Sequence, residues 1–128
     1  MVRVLLSVGM VAGLFLGCNK APETPPPLTQ PAQGKLLTKS GQPVTSGMIE
    51  FASNDGAAKS ARSEIKSDGT FVLEVMDAEG KKYAGAEEGT YRVTYIPQMT
   101  EAQTEVPVNL PKPVKIVAGE NTLTLKLP

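Results

Sequence analysis

The chain has 128 residues, 13 basic and 13 acidic side chains, one cysteine, and neither histidine nor tryptophan. A formally neutral chain with no basic stripe has no electrostatic hold on a polyanion, so nucleic acid is excluded as a partner. The commonest general base and all but one of the soft metal ligands are missing too, which argues against zinc or copper sites and against cofactor chemistry.

In chain order, Arg3 is the single cation of a short leading segment, and residues 4–16 form an uncharged apolar run. A bilayer-spanning helix needs roughly 20 apolar residues, so this run is too short to span and has the length of a signal-peptide core. It ends in Leu14-Phe15-Leu16-Gly17-Cys18, which resembles the bacterial lipobox, where a small residue precedes a cysteine that is diacylated before cleavage. Phe15 departs from the leucine more usual there, while Gly17 supplies the small residue. The resemblance implies a lipoprotein signal peptide at 1–17 and lipidation, of the palmitate type, at Cys18, which becomes the first residue of the mature chain. The other reading of Cys18 is a small buried hydrophobe.

One acyl chain attaches a protein reversibly, and two or more hold it at a membrane. The expected partner is therefore the membrane, through acyl chains on Cys18, with the chain anchored at the cell or outer membrane and facing the periplasm or exterior. Asn19 and Lys20 follow the cysteine, and the absence of aspartate there is compatible with outer-membrane sorting; inner versus outer membrane stays open. An exported chain with no second cysteine has no disulfide, so its stability rests on its core.

Residues 19–33, NKAPETPPPLTQPAQ, contain five prolines and little to bury. In polyproline II, at about 3.1 Å per residue, they reach at most about 45 Å. Residues 18–33 are expected to be a disordered proline-rich tether; a PxxP docking site is the alternative.

Residues 34–128 form one domain, large enough for a single modest core. Short alternations bounded by turn residues predict antiparallel strands. GMIEF places Ile49 and Phe51 on one face against Met48 and Glu50. Asp68-Gly69 predicts a hairpin turn between Ile65 and the inward series Phe71, Leu73 and Val75. GTYRVTYIP turns Tyr91, Val93 and Tyr95 inward and Arg92 and Thr94 outward, and NTLTLKLP does the same with Leu123, Leu125 and Leu127. Six or seven such strands imply a β-sandwich.

Gly41-Gln42-Pro43-Val44 with Gly47, Asp68-Gly69-Thr70-Phe71, Gly89-Thr90-Tyr91 and Gly119-Glu120-Asn121, in that order, resemble the carboxypeptidase regulatory-like domain. That family implies a transthyretin-like (prealbumin-like) antiparallel sandwich of about seven strands and a non-catalytic role. Glu88 stands where such domains often have proline, and the proline-spaced residues 100–113 leave the strand boundaries between Thr100 and Lys115 open.

Carboxylate chemistry needs two acidic groups opposed in a cleft. Asp55, Glu64, Asp68, Glu74, Asp77, Glu87 and Glu88 are the candidates, and turn or solvent positions account for most of them. Calcium could use turn carboxylates, although no D-x-D-x-D density is present. Lys81-Lys82 and Glu87-Glu88 flank Tyr83 and could grip a ligand; a solvated connection explains them equally well. The reading is a monomeric, lipid-anchored envelope protein with a structural or binding role, without catalytic, metal or cofactor residues and with its ligand unknown. A carbohydrate- or peptide-binding module is the alternative, and a carboxylate-based hydrolase ranks last.

Overall fold

The computed structural model describes residues 26–56, 58–98 and 106–128. The expected signal peptide and Cys18 lie outside the described residues, as do residues 99–105. The described chain is all β, with no helix among the described residues. Its strands are β1 (Thr29–Gln30), β2 (Ala32–Leu37), β3 (Met48–Ser53), β4 (Ala61–Glu64), β5 (Thr70–Val72), β6 (Glu74–Met76), β7 (Lys82–Ala84), β8 (Ala86–Glu87), β9 (Gly89–Ile96), β10 (Val108–Asn109), β11 (Val114–Ile116) and β12 (Asn121–Lys126).

Twelve segments stand where about seven strands were expected because several strands bend. β1 and β2 part at Pro31, β5 and β6 at Leu73, and β7 and β8 at Gly85. The bends keep their backbone groups paired: Leu73 N–H donates to Ala32 C=O at 2.9 Å, and Gly85 N–H to Leu73 C=O at 2.7 Å. One strand can therefore leave one sheet and join the other without burying an unsatisfied peptide group.

The larger sheet runs β10–β9–β3–β4–β6–β7, antiparallel throughout, with β11 on the same flank of β9 as β10. The smaller runs β12–β2–β5, with β12 parallel to β2 and β5 antiparallel to it. β1 and β8 form a separate two-residue ladder. The period-2 pattern puts Ile49, Phe51, Val75, Tyr91, Val93 and Tyr95 of the large sheet and Leu36 and Phe71 of the small one into a shared core. The Phe51 ring meets Phe71 at 6.2 Å and Tyr91 at 6.0 Å between centroids, so an aromatic trio bridges the two sheets.

The Asp68-Gly69 turn forms as expected. Gly69 adopts φ 84°, and Lys66 N–H donates to Thr70 C=O at 3.0 Å across the turn. Tyr91, Val93 and Tyr95 are buried while Arg92 is exposed.

Two expectations need amending. The sheet begins upstream of Gly34: β1 and the first residues of β2 belong to the segment expected to be tether, and Ala32 is buried. Ala32 and Gly34 share the inward face with Leu36, but their small side chains gave the alternation little apolar signal. Leu123, Leu125 and Leu127 do face the core, yet each is only partly buried, because β12 is an edge strand of the smaller sheet.

Candidate functional site

Two surface concavities could receive a ligand. The larger, about 600 Å³, lies on the outer face of the large sheet, and the bend at Leu73 creates it. β4 pairs with β6 at Ala61 opposite Val75 and Arg62 opposite Glu74. Beyond Arg62 the neighbouring strand has crossed to the other sheet as β5, so the hairpin opens. Ser63 fills part of the gap: its Oγ accepts from Val72 N–H at 3.2 Å and donates to Glu64 C=O at 2.9 Å.

Met48, Val72, Val75 and Met76 form the apolar part of this groove, and Arg62, Lys66, Lys82, Glu64 and Glu74 supply its charges. Val72 is 44% exposed and Met76 48%, so two large apolar side chains face solvent on one strand. Ser63 commits both donor and acceptor to the backbone and holds the open hairpin together. For a ligand the groove offers an apolar floor for a side chain or ring and both signs of charge for polar ends.

The smaller concavity, about 440 Å³, lies at one end of the sheets between residues 45–48, Glu64 and Ile65, and residues 96–98. Beneath it Tyr95 Oη donates to Ser46 C=O at 2.7 Å, tying the loop after β2 to β9.

Two of the seven candidate carboxylates come together and five do not. Glu64 and Glu74 share the larger groove. Asp55 accepts from Ser53 Oγ at 2.7 Å in the bend after β3. Asp68 accepts from Thr70 Oγ1 at 2.6 Å and Thr70 N–H at 3.0 Å, and the Thr70 hydroxyl foremost holds its carboxyl below the usual range. Asp77 accepts from the N–H groups of Lys81 at 2.8 Å and Glu79 at 3.0 Å and from Tyr83 Oη at 3.2 Å, with the Lys81 N–H the main cause of its lowered pKa. Asp68 and Asp77 thus build turns with their oxygens. Glu87 lies on β8 and Glu88 precedes β9. Among the described residues no group of three or more His, Cys, Asp or Glu could hold a metal ion.

Tyr83 is half-buried, with its hydroxyl on Asp77 and Lys81 Nζ 5.3 Å from its ring centroid. Both side chains serve the β6–β7 turn. Lys82, its neighbour, lines the larger groove instead.

Sequence reasoning passed over Arg62, Val72 and Met76. The available signal was the outward half of the β5–β6 alternation, where Val72 and Met76 are apolar at two of three positions; reading the inward Phe71, Leu73 and Val75 hid it.

No family model, curated protein or solved structure matches the chain. Among the described residues no helix is long and apolar enough to cross a membrane.

Proposed function

We propose that this chain is a lipid-anchored cell-envelope protein whose β domain is a transthyretin-like sandwich with a non-catalytic structural or binding role. The observation that carries the reading is Leu14-Phe15-Leu16-Gly17-Cys18 at the end of a short apolar run, ahead of a proline-rich segment and a compact β domain. The all-β architecture, two sheets around one core, is consistent with the carboxypeptidase regulatory-like resemblance. The turn carboxylates already spend their oxygens on backbone and hydroxyl donors, which supports a role without catalysis. Within that role the groove beside Val72 and Met76 is the surface best suited to a partner chain.

The anchor and the sheet are close in sequence. Nine residues lie between Cys18 and Leu28, where β1 is about to begin, and a polyproline II stretch of that length would reach roughly 30 Å. On this reading the anchor would hold the domain by the end of the sheets where β1 pairs with β8 and Glu87 lies.

Replacing Cys18 by serine should move the full chain from the membrane fraction to the soluble fraction and remove the acyl mass from the mature N-terminus. Intact-mass analysis together with fractionation checks this. A Cys18→Ser chain that stays membrane-bound with unaltered processing would sink the proposal.

A further inference from the structure

Among the described residues, β12 is the sheet edge left both long and unprotected. The large sheet is edged at β9 by β10 and β11, and prolines interrupt that edge. Leu110 N–H donates to Val93 C=O, so by antiparallel alternation the nitrogens of residues 107 and 109 point away from β9. Pro107 occupies one of those positions and offers no donor there, and the ladder then breaks between Leu110 and Val114. The β7 edge is three residues long, carries Lys82, and lies beside β1. β12 has six residues, no proline and a single charge, Lys126.

Its direction of bonding is fixed by two contacts. Asn121 N–H donates to Pro31 C=O and Leu127 N–H to Leu37 C=O, both at 2.9 Å, so odd-numbered residues bond to β2. The N–H and C=O groups of Thr122, Thr124 and Lys126 therefore point outward along the edge. The core-facing side chains of the same strand, Leu123, Leu125 and Leu127, are only partly covered.

We propose that β12 pairs with β12 of a second copy, antiparallel, with Thr124 on the two-fold axis, in place of the monomer expected from the sequence. The strand is self-complementary in this register. Thr122 faces the second copy's Lys126, and Thr124 faces itself, so the outward-bonding residues meet one another as hydrogen-bonded pairs. Leu123 falls opposite Leu125 in the closer, non-bonded positions, where side chains touch most. No like charges meet, since Lys126 lies across from threonine. An isologous contact of this kind closes as a dimer and joins the two small sheets into one of six strands. This inference does not depend on lipidation.

The test uses the full chain in whole producing cells, carrying Thr124→Cys, exposed to a mild thiol oxidant. Residues in a hydrogen-bonded pair sit about 5.5 Å apart at Cα, within disulfide reach. A linked species of twice the chain mass is expected for Thr124→Cys and not for Lys82→Cys. The same pair made with Cys18→Ser separates the two readings, because linking through an unacylated Cys18 disappears there while a 124–124 link remains. In detergent solution the wild-type chain should sediment as a dimer. Thr124→Pro, which removes an outward donor and no bond to β2, and Thr124→Lys, which sets two cations face to face, should sediment as monomers with circular dichroism unchanged. Equal linking at Lys82→Cys, a monomeric wild-type chain, or folded dimers in both Thr124 variants would overturn the proposal.

Discussion

Asp68 and Asp77 illustrate how single side chains set local structure here, because each carboxylate closes a turn by accepting from groups within four residues of itself. Both have pKa values lowered from 3.8, so folding favours the ionised form. Their contribution is fully present above the unfolded-state value and is lost as pH falls through the lower folded-state values. Denaturation curves on the acid side should therefore show stability declining in the wild-type chain and a shallower decline in Asp68→Asn plus Asp77→Asn; identical slopes would show that neither turn titrates. Tyr91 has the opposite sign. Its hydroxyl is buried and donates to Glu87 C=O at 2.6 Å, and desolvation, helped by Glu87 and Asp55, pushes its pKa up to about 12. The neutral phenol is the folded form, so its contribution holds below about 10 and is lost as pH climbs towards about 12. Tyr91→Phe should cost about 1 kcal/mol at neutral pH for the lost hydrogen bond and should flatten the alkaline limb, which urea melts at neutral and strongly alkaline pH will reveal. Local turns of the Asp68-Gly69 kind were legible in the sequence because donor and acceptor are neighbours. Asn121 was not: its side chain bridges Val117 and Gly119 to Pro31, 90 residues away, and no local pattern marks such a contact.

At the level of elements, alternation identified β3, the β4–β5 turn and β9 because their inward residues are large. It said nothing of the bends, where strand pattern continues through Leu73 although the hydrogen-bond partners change sheets, and the larger groove owes its existence to that bend. Gly34 shows the same limit from the other side. It sits mid-strand in β2 between Phe71 of β5 and Leu123 of β12, its partners in register. A methyl group there would meet the Leu123 carbonyl oxygen at sub-van-der-Waals range and the Phe71 ring at 2.8 Å. The Leu123 oxygen is backbone and cannot rotate away, so β12 would have to move off β2. Gly34→Ala should cost about 1–3 kcal/mol, the range for overpacking a tight core, even though alanine is otherwise acceptable in a strand. Thermal unfolding of the variant measures it, and an unshifted midpoint would mean that β12 yields freely at this position.

For the whole molecule, the distribution of edges decides whether copies stay apart, close into pairs or grow into fibres. The prolines before β11, which from the sequence left strand boundaries uncertain, take their meaning from position: Pro107 blanks an outward nitrogen of the edge beside β9, and residues 111–113, two of them proline, form a bulge between Leu110, bonded to Val93, and Val114, opposite Tyr91. Bulges and prolines are the usual protections of an exposed edge. With β12 pairing to itself and the β10–β11 edge blocked, assembly stops at two copies. Unblocking the second edge would give each copy two adhesive edges, and closed dimers would extend into open chains. Pro107→Thr restores an outward donor next to β10. Light scattering of the full chain in detergent should then rise with concentration well beyond the dimer, and adding Thr124→Pro should return it towards the dimer level by leaving one competent edge per copy. If the Pro107→Thr variant scatters like the wild-type chain, bulge geometry alone protects that edge and Pro107 serves only the loop.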